Sequence, residues 1–326
     1  MRVFNNPLRL SCLASLTIIA LLLMWQFSYA GSIRERVIKH RSAEQEENIE
    51  DGESFGRVSL PSGVRLLRDV PYGKDRRQCM DIYMPQEAAG APVIFMVHGG
   101  AWRLGDKGSK AVVENKVARW VSKGFIFISI NYRLLPNTAP LEQAEDVACA
   151  LAIAQDKVSS QGGDPTKFIL MGHSAGAHLV ALLASSPAMA LKIGARPWLG
   201  TVLLDSAALD VVKLMEEKHS RFYDRAFGSD PAYWRASSPF HALSETATPI
   251  VAVCSTRRSN SCPQASRFVT KATSLNARAR VLEQDLSHKD INQQLGTEGS
   301  YTDAVESFMG TLDESVLQAL TNHSSK

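Results

Sequence analysis

The chain is short of several things, and each shortage excludes a class of function. Aromatic residues make up only 7% of its 326 residues. No basic patch is interleaved with them, so nucleic-acid binding has no support. The formal net charge is only +3, and Arg2 and Arg9 carry part of it. No pair of Cys or His has zinc-finger spacing, so no metal need be invoked. No internal repeat is present. Cysteine is sparse as well, at five residues, and Cys12 stands apart from the other four.

What is present begins with a targeting segment. Arg2 and Arg9 form a basic start, residues 10–25 are apolar and uncharged, and Ser28-Tyr29-Ala30 offers small residues where a signal peptidase reads. This pattern predicts a signal peptide over 1–30, cleaved after Ala30, and an exported protein, periplasmic or secreted. The alternative is an uncleaved membrane anchor, for which the run is short. Cys12 lies too early in the run for a lipid-attachment box. Residues 31–57 follow as a polar linker, first basic (Arg34, Arg36, Lys39, Arg41) and then acidic (Glu44, Glu46, Glu47, Glu50, Asp51, Glu53). It has little to bury. Residues 58–326 then have the composition and length of one α/β domain.

Apolar runs at 64–70, 80–84, 93–97, 125–130, 168–171, 202–204, 250–253 and 279–282 read as strands. Helical spacing appears at 109–122, 141–156, 175–184 and 301–320. The alternation predicts a mostly parallel sheet of about eight strands with helices on both faces. Chemistry in such sheets gathers beyond the carboxyl ends of the strands. His98, Ser174, Asp205 and His288 all fall there.

Gly172-His173-Ser174-Ala175-Gly176 fits G-x-S-x-G, the turn that lifts a nucleophilic serine above an α/β sheet. A serine hydroxyl is weak at neutral pH and needs a base. His288, in "LSHKD" after the last strand, lies downstream of Ser174 in the Ser…acid…His order. His219 and His241 lie in an irregular middle segment and His323 in a tail. His178 stands one helical turn beyond the serine, as a packing or hydrogen-bonding residue. His173 is inside the elbow and cannot easily reach back. "HGGAW" at 98–102 sits where an oxyanion loop belongs, so the N–H groups of Gly100, Ala101 and Ala175 are the candidate donors. Trp102 is expected to border the substrate.

With these motifs in place the chain resembles the α/β-hydrolase fold over about 64–320. Within it the chain looks like the HGG-type serine carboxylesterases, which include hormone-sensitive-lipase-like, kynurenine-formamidase-like and exported bacterial esterases. "MDIYMP" at 80–85, "NYRLLP" at 131–136, "LEQAEDVACAL" at 141–151 and "GGDPTKFILMGHSAGAHLVALLA" at 162–184 carry the resemblance further. It implies hydrolysis of a small-molecule ester through an acyl-enzyme, without a cofactor, and a cap segment over about 206–248. The cap stretch 221–240 is rich in Tyr, Phe and Trp, which either line a pocket or pack the cap. Short-chain esters are the default substrates, with formamides and acetylated sugars as alternatives.

One departure from the family pattern concerns the acid. Such enzymes usually carry it after the seventh strand. Here that loop is "CSTRRSNSC", 254–262, without Asp or Glu. Asp205, after the sixth strand, keeps the chain order and is preferred. Asn260 could orient the histidine but not stabilise the imidazolium. Asp210 is a second candidate, although the resemblance implies an Asp at this place that holds the cap, and Asp285 is too local to His288. The missing acid is also the one feature favouring a non-catalytic binding protein of this fold. Cys254 and Cys262 flank seven residues and could form a disulfide in an exported chain. Cys149 lies in an apolar helical pattern and reads as a buried small hydrophobe. The oligomeric state is left open.

Overall fold

The computed structural model describes residues 60–321. The expected signal peptide, the polar linker over 31–57 and His323 lie outside the described residues. Eight strands form one sheet in the order β1-β2-β4-β3-β5-β6-β7-β8. They are β1 (Val64–Pro71), β2 (Cys79–Pro85), β3 (Ala91–Val97), β4 (Ile126–Ile130), β5 (Gly163–His173), β6 (Gly200–Leu204), β7 (Ile250–Ser255) and β8 (Ala279–Gln284). β1 and β2 pair antiparallel, and β2 joins β4 antiparallel. From β4 to β8 every pairing is parallel.

Side chains on the central strands divide with period two, as the pleat requires. Val93, Phe95 and Val97 of β3, Phe168 and Leu170 of β5, and Ile250 and Ala252 of β7 face one core. Ile94 and Met96, Ile169 and Met171, and Val251 and Val253 face the other. The first core is covered by α2 (Pro140–Val158), α3 (Ala175–Ser185) and α9 (Ser261–Ser274). The second lies under α1 (Lys110–Val121), α10 (His288–Gln293), α11 (Ser300–Gly310) and α12 (Glu314–Thr321). Burial on both faces is why these strands read as continuous apolar runs rather than alternating ones.

One boundary and one burial differ from expectation. The predicted single helix over 301–320 is two helices, because Asp313 starts a new one. Its carboxylate accepts from Ser315 N at 2.8 Å and its carbonyl from Leu317 N at 3.1 Å. Such a cap competes with continuation of the preceding helix. Cys149, expected buried, is half-buried in the middle of α2 and is a free thiol.

Between β6 and β7 the chain forms four short helices in addition to a fifth further back. These are α5 (Val211–Glu216), α6 (Arg221–Phe227), α7 (Pro231–Ala236) and α8 (Pro239–Ala242), while α4 (Ala188–Leu191) precedes β6. Tyr223 and Phe227 of α6 are buried, whereas Phe222, Tyr233, Trp234 and Phe240 are half-buried. The aromatic richness of this stretch therefore holds the segment onto the domain.

Candidate active site

Ser174 stands between β5 and α3 with φ 53° and ψ −117°. That conformation is costly for a residue bearing a Cβ and persists only where its surroundings enforce it. The surroundings are two glycines. A Cβ on Gly172 would meet the Gly176 carbonyl oxygen at 2.4 Å, and one on Gly176 would meet that of Val97 at 2.3 Å. Strand and helix therefore approach too closely for any side chain, and the serine is turned outward. Ser174 is half-buried amid fully buried neighbours. Among the described residues, six other than glycine have positive φ: Asp69, Ala101, Trp102, Ser174, Asp205 and Asn276. Four of them belong to this site, so backbone strain is concentrated where the chemistry is expected.

The "HGGAW" loop follows β3, the neighbour of β5. A Cβ on Gly99 would lie 3.0 Å from Ser174 Cβ, which places the loop against the serine. The motifs after β4 hold it there. Tyr132 stacks on His98 with ring centroids 4.5 Å apart and donates to the His98 carbonyl at 3.1 Å. Gln143 Nε2 and Leu135 N both donate to the Trp102 carbonyl, at 2.8 and 2.9 Å. Arg133 forks onto Asp146, 2.7 and 2.9 Å, and ties the "NYR" turn to α2. These bonds hold the loop's backbone in place, and fixed backbone donors are what electrostatic stabilisation of an oxyanion requires. Of the expected donors, Gly100 and Ala101 lie in this loop and Ala175 in the first turn of α3. The opening turn of a helix carries donors without intrahelical partners and a partial positive charge.

Asp205 directly follows β6 and is fully buried. Its carboxylate accepts from four donors. Oδ2 takes His288 Nδ1 at 2.5 Å and Arg258 Nη1 at 2.9 Å. Oδ1 takes the Ser255 N–H at 2.8 Å and the Ser261 hydroxyl. Burial alone would raise this carboxyl. The Arg258 cation and the bond from His288 outweigh it and hold the group well below the usual carboxylate range. With Nδ1–H donated to Asp205, His288 is left with Nε2 as the acceptor, which is the tautomer a general base needs.

The histidine is itself held in place. Ser287 caps α10 by accepting from Asp290 N at 3.1 Å, so His288 begins the helix. Tyr301 donates to the Ile291 carbonyl at 2.8 Å and the buried Lys116 to that of Asn292 at 2.5 Å. The Ser255 hydroxyl donates to Leu286 O at 2.6 Å, joining the end of β7 to the loop after β8. His173 Nε2 donates to the His288 carbonyl at 3.0 Å, and the two rings lie 4.4 Å apart. The residue before Ser174 thus bonds the histidine's own backbone.

The rival acids have other work. Asp210 caps α5 by accepting from Lys213 N at 3.2 Å and pairs with Arg267 at 2.7 Å, tying the segment after β6 to α9. Asp285 is exposed and pairs with Arg257. Asn260 occupies the cap position of α9, and its neighbour Ser261 is the residue that reaches Asp205. Among the rival histidines, His219 pairs with Asp224 and His241 bonds the Ser238 hydroxyl. His178 accepts from Trp102 Nε1 at 3.2 Å and donates to Ser237 O at 2.7 Å.

Trp102 departs from expectation. Its indole is 2% exposed and packs against Tyr223 and Phe227 of α6, besides bonding His178. It braces the "HGGAW" loop from within instead of offering an open face. Residues not anticipated from the sequence are Arg258, Ser255 and Ser261. All three lie in the loop noted for lacking an acid, and Cys254 and Cys262 close that loop with a disulfide. The signal available was the pair of arginines in "STRRSNS", which an acid from another strand would have to meet.

Comparison with known proteins agrees with this geometry. Esterase B from Lactobacillus rhamnosis superimposes with a TM-score of 0.64 at 18% identity, covering 92% of this chain and 96% of that one. That likeness establishes the α/β-hydrolase fold. Esterase LipQ of Mycobacterium tuberculosis is 33% identical over 197 residues, 56% of this chain and 46% of the relative. A protein of Oryza sativa subsp. japonica named "Probable isoprenylcysteine alpha-carbonyl methylesterase" is 36% identical over 118 residues, 36% of this chain and 27% of the relative. The chain thus spans less than half the length of these two curated relatives. The BD-FAE family model matches residues 80–255, which run from β2 through the oxyanion loop, the elbow and Asp205 to the end of β7. That match covers more than half of the chain, and the chain belongs to the BD-FAE family.

Proposed function

We propose that this protein is a serine carboxylesterase acting on short-chain or small-alcohol esters through an acyl-enzyme. The observation that carries the reading is the buried Asp205–His288 pair at 2.5 Å, set beside a serine on a strained elbow. Ser174 Oγ attacks the ester carbonyl while His288 Nε2 takes its proton. The resulting oxyanion is met by the N–H groups of Gly100, Ala101 and Ala175. Collapse expels the alcohol, which receives the proton from His288 and leaves the acyl group on Ser174. Water, deprotonated by the same imidazole, then releases the carboxylic acid and restores the serine.

A small leaving group is supported by the relative named a methylesterase. The Cys254–Cys262 disulfide supports export, because such bonds persist in oxidising compartments. The test is a panel of p-nitrophenyl esters of increasing acyl length, with Ser174→Ala as control. Turnover should be fastest for the shortest acyl groups and fall by at least about 10³-fold in the variant. A folded wild type that hydrolyses none of them, and takes no fluorophosphonate label at Ser174, would refute the reading.

A further inference from the structure

The acid of the triad leaves β6, yet most of what holds it comes from after β7. Arg258 Nη1 lies 2.9 Å from Asp205 Oδ2, 3.1 Å from the Asp205 carbonyl and 3.0 Å from His288 Nδ1. One guanidinium nitrogen thus touches both members of the pair. Its side chain is 15% exposed, so the interaction is little screened. Nδ1 of His288 donates to Asp205, so Arg258 cannot donate to it as well. The contact of Arg258 with the ring is a cation held against a group that must become a cation during turnover.

We propose that Arg258 is a positioning residue for the Asp205–His288 pair, locking the carboxylate and setting how readily the imidazole accepts its proton. This rests on reading Ser174, His288 and Asp205 as a triad. Two consequences oppose each other. Arg258 occupies the second lone pair of Oδ2, and with Ser255 and Ser261 on Oδ1 the carboxylate cannot turn without losing its donors. The same cation disfavours the imidazolium. Other groups around the pair are fewer and differently placed. His173 faces it from the elbow and is kept neutral, chiefly by burial and next by His288. Tyr301 faces Asp205 from α11, and burial keeps its phenol protonated. Lys116 on α1 is engaged with backbone carbonyls. Asp285 is tied to Arg257 at the surface. Arg258 is therefore the cation in contact with both members.

The test compares the full-length wild type with Arg258→Met and Arg258→Lys. The measurements are kcat and KM against pH, and the downfield proton resonance of the His288–Asp205 hydrogen bond against pH. In Arg258→Met, kcat should fall by about tenfold to a hundredfold with KM little changed. The acidic limb of kcat/KM should move up by about one pH unit, because removing a cation favours the protonated ring. The downfield resonance should titrate at a correspondingly higher pH. Arg258→Lys keeps the charge, so its limb should stay near the wild-type position while kcat recovers in part. A lowered kcat with both titrations unmoved in Arg258→Met would overturn the proposal and leave Arg258 a loop brace only. The resonance is read without substrate. A shifted resonance in a protein that turns over no ester would therefore support the proposal while rejecting the esterase reading.

Discussion

Replacing Asp205 with Asn is the most informative single perturbation. The amide is nearly the same shape but carries one acceptor and one donor where the carboxylate had two acceptors. Asp205 is fully buried and meets donors on both oxygens. If the amide nitrogen faces His288, it meets Arg258 Nη1 and requires His288 Nδ1 to accept. The ring proton then moves to Nε2, and the base is lost. If the amide oxygen faces His288, the nitrogen opposes the Ser255 N–H and the Ser261 hydroxyl. The first arrangement is the wrong-tautomer state that lowers kcat about 10⁴-fold in the serine-protease template. That factor corresponds to about 5.4 kcal/mol at 1.36 kcal/mol per tenfold. Stability should fall too, because Arg258 loses its buried partner. Breaking a buried pair costs about 3 kcal/mol, or roughly 6–9 °C in Tm for a domain of this size. The carboxyl is held low in the folded state, so its contribution is full above about pH 4 and fades as pH falls further. The gap in unfolding free energy between the two proteins should therefore close below about pH 4. Initial rates on p-nitrophenyl acetate, with Ser174→Ala as background, supply the assay. A kcat within tenfold of wild type would remove Asp205 from the triad.

Three further outcomes follow from the same geometry. His98 and His178 are held down to about 4 and His173 well below its ordinary range, mainly by burial, so each is neutral when folded. Their stabilising effect is complete above about pH 6.5 and is lost as pH falls toward 4. Unfolding free energy should drop with a slope of up to about 4 kcal/mol per pH unit in that window, and urea titrations giving equal values at pH 7 and pH 5 would contradict this. The paired change Cys254→Ser and Cys262→Ser opens a loop of sequence separation 8, costing about 2.5 kcal/mol. It should lower kcat as well, since Ser255, Arg258 and Ser261 ride on that loop; thermal melts and ester assays together check both effects. Gly176→Ala would drive a methyl to 2.3 Å from the Val97 carbonyl oxygen, a backbone atom. The result should be an inactive protein with a Tm lowered by several degrees, and wild-type turnover in a folded Gly176→Ala protein would show that the elbow relaxes.

The order of strands and helices, the elbow at Ser174 and the place of His288 were legible in the sequence, because local patterns encode them. Apolar runs mark strands buried on both faces, and Gly172 and Gly176 mark a contact between elements adjacent in the chain. The break before α12 was missed because one capping carboxylate, Asp313, outweighs an otherwise continuous apolar period. Trp102 was misplaced because proximity to "HGG" in sequence says nothing of which way an indole turns. Which of Asp205, Asp210 and Asn260 meets His288 is set by tertiary structure alone. Each lies beyond a strand or in a loop at the same edge of the sheet, and only burial and donor geometry separate them. It also brought Arg258, 53 residues downstream of Asp205, onto the same carboxylate oxygen as His288. Local sequence specifies which residue types stand at the ends of strands. Which of them share one buried charge is settled by the lateral order of β6, β7 and β8, a long-range property that only the folded sheet possesses.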